Sequence, residues 1–304
     1  PFCPRTTLRH VAVDEGGDLD ERLRALRSRS RRIVLTGGEV TVLPDLVGLI
    51  RRCRELGFTE VGVITNGRVL ADAQKPHQLV DAGLTEACVT VYDLRAGVHD
   101  SLTGVEGSLE QTLRGLDNLL AAGAVPVRVN TMLCAPNAGG LVALLRGLSA
   151  RGVAGFLIGA AVVSEAFDEP VAPGEVIRLA RQVAADPALA RVSVVWRGFP
   201  LCWLRSLEGV VSEPQDVATA SVDAAELDGY FEEFLRHFTH VDACVPCCER
   251  EVCPGIQRRV LALERSARQE EHEREILGRE HDHDPERPID RGRREPEPLQ
   301  REPK

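Results

Sequence analysis

Short aliphatic runs alternate with helix-periodic stretches through the first half of the chain. Runs at 33–36, 61–65, 87–92, 127–133 and 155–162 read as buried strands. Between them, patterns near 46–56, 72–82, 109–122 and 140–150 keep the three- and four-residue spacing of amphipathic helices. Leu46, Leu49, Ile50, Cys53 and Leu56 hold that spacing after Pro44-Asp45 until Gly57 stops it. Ser108-Leu-Glu-Gln111 fits a capping box, with Leu109, Leu113, Leu116 and Leu120 on one face before Gly123. A further helix is predicted around Leu19 to Leu26. Strands that alternate with helices pair in parallel through right-handed crossovers, so the fold class is α/β.

The polar residues gather where these strands stop. Ile33-Val-Leu35 runs into Thr36-Gly37-Gly38-Glu39. Two glycines let the backbone take positive φ and approach a ligand closely, and Glu39 supplies a carboxylate suited to an ammonium group. Val61-Gly-Val-Ile-Thr65-Asn66-Gly67 repeats the design, so two successive strand ends offer polar groups where a βα fold puts its site. Arg128 and Asn130 stand two apart on one face of the next-but-one strand, which predicts either a ligand contact or a hydrogen-bonded core network. Between strand and helix, Tyr92 to Gly104 reads as a polar loop long enough to cover a barrel mouth. Its His99 is either a proton carrier or a local hydrogen-bonding element.

Composition narrows the class. A chain of 304 residues with 43% hydrophobic content fills one large or two smaller domains. No apolar run reaches a membrane-spanning length and no secretory segment is visible, so a cytoplasmic protein is expected. A formal charge of -9 argues against non-specific binding along a nucleic-acid backbone. Nine cysteines in a chain without a signal point to metal rather than disulfides. Cys53, Cys88 and Cys134 fall on helix faces or strands and read as small hydrophobes.

Cys202 and the run Cys244-Val-Pro-Cys247-Cys248-Glu-Arg-Glu-Val-Cys253 form a different group. Close thiolates chelate well, and four sulfurs suit tetrahedral zinc or an iron-sulfur cluster. The segment Leu227 to Phe238 has an aromatic helical pattern that packs on the barrel or walls a channel. From about Glu264 the chain turns to Arg, Glu, His, Asp and Pro, which predicts a charged helical start followed by disorder. His281 and His283 in that tail are weighed as loose metal binders.

The order Cys3, Thr36-Gly37-Gly38-Glu39, Thr65-Asn66-Gly67, His99-Asp100-Ser-Leu-Thr103-Gly104, Asn130 and Phe156-Leu-Ile-Gly159 resembles the radical SAM superfamily. That resemblance implies a partial (β/α)6 TIM-like barrel over 1–198. It also implies a [4Fe-4S] cluster held by a Cys-x3-Cys-x2-Cys loop after the first strand. Pro1-Phe2-Cys3 fits the end of that loop, so the chain is read as N-terminally truncated, with the first strand and two cysteines upstream.

The resemblance assigns Gly37, Gly38 and Glu39 to the amino group of S-adenosylmethionine and Asn66 to the rim of its site. It gives Thr90 a cofactor contact, Arg128 and Asn130 the carboxylate or ribose, and Gly159 the adenine. Cys-x2-Cys-x5-Cys is similar to the SPASM/Twitch extension. It implies a small cysteine-rich C-terminal extension over 199–263 with one auxiliary iron-sulfur cluster on Cys202, Cys244, Cys247 and Cys253. Cys248 stands as spare or substitute ligand. The full pattern's next cysteine is replaced by Gln257, and 264–304 forms the tail. The implied activity is reductive cleavage of S-adenosylmethionine to a 5'-deoxyadenosyl radical that abstracts a hydrogen. A peptide is the first substrate expected and a small metabolite the second, with flavodoxin or ferredoxin as electron donor. A non-catalytic barrel with a structural zinc is the rival reading.

Overall fold

A computed structural model of the chain describes residues 19–123, 125–161, 167–213 and 236–266. Cys3, the tail histidines and most of the aromatic segment 227–238 lie outside the described residues. By contact density the chain divides into two units, Pro1–Ala262 and Leu263–Lys304. Of the second unit only 263–266 are described, and they are helical.

The first unit is built on one parallel sheet whose seven strands lie side by side in chain order. These are β1 (Arg32–Leu35), β2 (Glu60–Thr65), β3 (Glu86–Thr90), β4 (Val127–Leu133), β5 (Gly155–Ala160), β6 (Ser193–Arg197) and β7 (Val211–Glu213). The helices are α1 (Leu19–Arg27), α2 (Leu46–Glu55), α3 (Gln74–Asp81), α4 (Ala96–Thr103), α5 (Ser108–Ala122), α6 (Ala135–Ala138), α7 (Leu141–Ser149), α8 (Pro173–Ala184) and α9 (Leu201–Leu204). The sheet curls into a half-barrel. A small antiparallel ladder of β8 (Phe238–Thr239) and β9 (Ile256–Gln257) stands apart from it.

Strand alternation divides the sheet into a helix-facing side and a concave side. Val127, Val129 and Leu133 of β4 join the core with Phe156 and Ile158 of β5 and Trp196 of β6. Arg128, Asn130 and Met132 therefore face the concavity, as do Cys88 and Thr90 of β3 and Arg197 of β6. The helices cover the other side with the periodic residues expected of them: Leu46, Ile50 and Cys53 of α2 are buried, and Asp45 caps that helix by accepting the Gly48 N–H at 2.9 Å.

Four features depart from the sequence expectations. First, α8, β6 and β7 extend the alternation past residue 162, and of these the three residues of β7 are too few to carry a period of their own. Second, the stretch 96–103 is helical. His99 is turned inward, 1% exposed, and its Nδ1 accepts the Tyr92 N–H at 3.2 Å, so it holds α4 against the end of β3. Third, α5 is capped from outside its own sequence. Gly107 is its N-cap residue, and the Asp100 carboxylate accepts from the N–H groups of Gly107 and Leu109 and from the Ser108 hydroxyl. Fourth, Phe238 belongs to a strand, not to a helix.

Candidate functional site

The site is best approached from the turn after β1. Glu39 caps the short 3-10 turn Val40–Val42 and joins two strand ends. Its Oε1 accepts the Thr41 N–H at 3.0 Å, the Thr41 hydroxyl at 2.6 Å and the Thr65 hydroxyl at 2.6 Å. Its Oε2 accepts the Asn66 N–H at 2.7 Å. A carboxylate offers about four lone-pair positions, so Oε1 is filled while Oε2 keeps room for one further donor.

The glycines before it work differently from the expectation. Neither Gly37 nor Gly38 takes positive φ. A Cβ built on Gly38 would meet nothing within 4 Å. Gly38 is exposed there, so its main chain is open to approach. Positive φ appears instead at Gly67, at +76°, where a Cβ would also lie 3.0 Å from Val89.

Asn66 spends its side-chain oxygen on its own turn, accepting the Arg68 N–H at 2.9 Å, and its carbonyl accepts the Thr112 hydroxyl at 2.9 Å. The strand register sets Thr90 beside Asn130 and Cys88 beside Arg128. Thr90 and Asn130 are half-buried and make no side-chain hydrogen bond among the described residues. Arg128 stands one step deeper in the half-barrel. Its guanidinium lies 3.6 Å from Glu86, which also takes the Arg32 Nε–H at 2.7 Å by passing over Gly62, where a Cβ would crowd it. Burial pushes the neighbouring Cys88 thiol up to about 11, against the pull of Arg128. Gly159 pairs with Met132, whose sulfur would lie 2.7 Å from a Cβ there; the thioether fills that space.

The cysteine-rich segment occupies the loop between β8 and β9. Cys247 N–H returns to the Cys244 carbonyl at 3.2 Å and Cys253 N–H to the Glu249 carbonyl at 2.8 Å, making two tight turns. Glu249 pairs with Arg205 and so ties the loop to α9, which carries Cys202. The Cys253 sulfur accepts the Leu201 N–H at 3.4 Å and the Gly255 N–H at 3.5 Å. Burial first, then Cys253, Cys244 and Cys247, raise the Cys202 thiol above its ordinary range. Cys202 is thus set electrostatically beside three further sulfurs, a soft donor set of the kind that suits a thiophilic metal. Among the described residues no three Cys, His, Asp or Glu side chains converge tightly enough to hold a metal as they stand. Cys248 is exposed.

Some contributors carried no signal that sequence periodicity reports. Gly255, at φ +84°, would press a Cβ to 2.4 Å from the Thr239 carbonyl, so only glycine closes the cysteine loop. Gln257 donates to the Ala161 carbonyl at 2.9 Å and anchors the ladder to the end of β5. Gly115 of α5 sits against the Gly67 carbonyl, where a Cβ would come within 1.9 Å. Its place in the middle of a well-patterned helix was the one visible hint.

No helix among the described residues is long and apolar enough to cross a membrane. In comparison with known proteins, residues 1–137 match the family model described as Radical SAM superfamily. The probable GTP 3',8-cyclase of Thermococcus kodakarensis is 34% identical over 132 residues, 42% of this chain and 41% of that protein. The probable GTP 3',8-cyclase of Saccharolobus solfataricus is 33% identical over 98 residues, 32% of this chain and 31% of that one. The chain thus spans less than half the length of the curated relatives it matches.

Among solved structures, Streptococcus suis SuiB bound to S-adenosylmethionine superposes with a TM-score of 0.57 at 12% identity, covering 81% of this chain and 68% of that one. Native anSMEcpe with bound AdoMet gives 0.52 at 13% identity, covering 81% of each. These two share the fold. The match over residues 1–137 likens this part of the chain to the radical SAM superfamily, and the parallel half-barrel is the fold of the two solved structures.

Proposed function

We propose that the chain is the barrel and auxiliary segment of a radical SAM enzyme that abstracts a hydrogen atom from a peptide. The observation that carries this reading is the turn after β1, where the Gly38 backbone is exposed and Glu39 Oε2 accepts a single hydrogen bond among the described residues. In this reading the Gly37-Gly38 backbone and Glu39 take the amino group of S-adenosylmethionine, and Asn66 closes the rim. The unpaired polar groups of Thr90 and Asn130 meet the ribose or carboxylate, Arg128 supports the latter from below, and Gly159 with Met132 borders the adenine. Cys3 supplies one ligand of the [4Fe-4S] cluster. That cluster, once reduced, supplies the electron that splits S-adenosylmethionine into methionine and the hydrogen-abstracting 5'-deoxyadenosyl radical. The curled sheet keeps water from the reacting atoms. The electron comes from a flavodoxin or ferredoxin in the cytoplasm.

Cys202, Cys244, Cys247 and Cys253 hold one auxiliary iron-sulfur cluster in this proposal, with Cys248 in reserve. The pull of Cys253, Cys244 and Cys247 on the Cys202 thiol and the N–H donors at the Cys253 sulfur support it. Residues 1–198 then form the barrel, 199–263 the auxiliary segment and 264–304 a tail. A nucleotide is the second substrate reading, favoured by the names of the sequence relatives.

The test is metal and sulfide analysis with an anaerobic S-adenosylmethionine cleavage assay on the product of the complete open reading frame. About eight irons, from two four-iron clusters, and 5'-deoxyadenosine formation are expected. One zinc, no iron and no cleavage would overturn the reading and leave a scaffold barrel.

A further inference from the structure

Arg197 ends β6 on the concave side of the sheet, between Gly159 of β5 and Glu213 of β7 in the strand register. One terminal nitrogen donates to Glu213 at 2.8 Å. The Nε is buried and donates to nothing among the described residues. A guanidinium carries five N–H donors in a rigid fork, and a buried charged donor without an acceptor bears its full desolvation cost. Arginines that serve only the core have that position closed by a carbonyl or a carboxylate.

Two further observations say which way this group looks. Gly159 brings no side chain of its own beside Arg197, and the Met132 thioether of β4 fills the space over that glycine, so this border of the guanidinium is apolar and supplies no carboxylate or carbonyl from a side chain. Its field reaches Cys88 in β3 and favours that thiol's ionisation, which directs the charge across the half-barrel. Of the cofactor residues proposed above, Gly37, Gly38, Glu39 and Asn66 follow β1 and β2, and β3, β4 and β5 stand between those turns and β6 in the sheet, while Gly159 at the adenine end is the register neighbour of Arg197.

We propose that Arg197 anchors an oxyanion of the substrate, a carboxylate or a phosphate, in the concavity. Glu213 holds the guanidinium in place from one side, and the substrate oxyanion takes the Nε side in the two-pronged manner that suits arginine. The proposal rests on the concave face being the substrate chamber of the radical enzyme. It makes the substrate anionic, at an acidic side chain or chain end of a peptide, or at the phosphate of a nucleotide.

The experiment is phenylglyoxal modification of the full-length, metal-replete protein, with the rate at Arg197 read by peptide mass spectrometry. Pyrophosphate, glutarate and S-adenosylhomocysteine are the three protectors. One of the two anions is expected to slow the reaction at Arg197 about tenfold. Protection by pyrophosphate assigns a phosphate and protection by glutarate a carboxylate. In Glu213→Gln the guanidinium loses its internal partner and reacts faster, still protected by the same anion. Protection by S-adenosylhomocysteine alone, no protection by either anion, or no reaction at Arg197 in both proteins overturns the proposal. None of these readings needs radical chemistry, so a protein that protects Arg197 but fails to cleave S-adenosylmethionine would count against the enzyme reading, not against the oxyanion site.

Discussion

The Thr65 hydroxyl donates to Glu39 Oε1 at 2.6 Å, so the end of β2 is fastened to the turn that follows β1. The Asn66 N–H donates to the other carboxylate oxygen at 2.7 Å. A single acid therefore sets the spacing of both strand ends and, among the described residues, leaves Oε2 with one hydrogen bond.

Glu39→Ala leaves four donors without their acceptor, in a half-buried place. A loss of about 2 kcal/mol or more in folding stability is expected from hydrogen bonds to a charged group. Glu39→Gln should retain more stability than the alanine variant yet bind S-adenosylmethionine more weakly, because an amide offers less to an ammonium group. Thermal melting and calorimetric titration separate the two effects. Equal stability of parent and alanine variant would refute the clasp.

Gly115→Ala drives a methyl group into the Gly67 carbonyl. Neither backbone can yield cheaply, so a destabilisation of about 2 kcal/mol is expected, with the Thr65-Asn66-Gly67 turn displaced. Gly97→Ala, where a Cβ meets nothing within 4 Å, serves as the control and should leave the denaturant midpoint nearly unchanged. Equal midpoints for the two variants would show that α5 does not press on the turn.

His99 has its pKa lowered to about 4 by burial, with Asp100 and Asp93 opposing. The unfolded chain binds the proton near pH 6.5 and the folded protein resists it. Stability from this residue is therefore fully present above pH 6.5 and falls as the pH drops toward 4, by about 3 kcal/mol. His99→Asn keeps an acceptor for the Tyr92 N–H and removes the titration. Chemical denaturation at several pH values should show a flatter curve for the variant between pH 4 and 6.5, and parallel curves would sink the assignment.

Cys253→Ser removes the sulfur that accepts from Leu201 and Gly255. Iron content is expected to fall by about four per chain and the unfolding temperature to drop with it. Exposed Cys248 should tolerate serine with no change in metal. Loss of iron in Cys248→Ser, with none in Cys253→Ser, would reassign the ligands.

Much of this architecture is legible in one dimension. The first five strands and α2, α3, α5 and α7 follow from periodic burial, because a residue's face depends only on its place in a helix or strand. Asp45 and Gly57 bound α2 for the same local reason. What failed locally failed for a stated cause. Ser108-Leu-Glu-Gln111 looks like a self-contained cap, but the N-cap is Gly107, and Asp100 from the preceding helix accepts from the Gly107 and Leu109 N–H groups and from the Ser108 hydroxyl. His99 reads as polar loop until α4 folds it under β3. The three residues of β7 are too few for any pattern, and only pairing with β6 makes them a strand.

By itself the sequence determined the βα alternation, the Gly-Gly-Glu turn and the clustering of five cysteines between Cys202 and Cys253, since each is a matter of residue type at short spacing. The tertiary structure alone decided that Glu39 is shared with Thr65 and Asn66, that Gly115 carries the Gly67 turn, and that Arg197 faces the concavity with an unpaired Nε. Those relationships join residues from different strands and helices. Their partners are chosen by sheet register and by the curl of the sheet, and neither is written in any one stretch of chain.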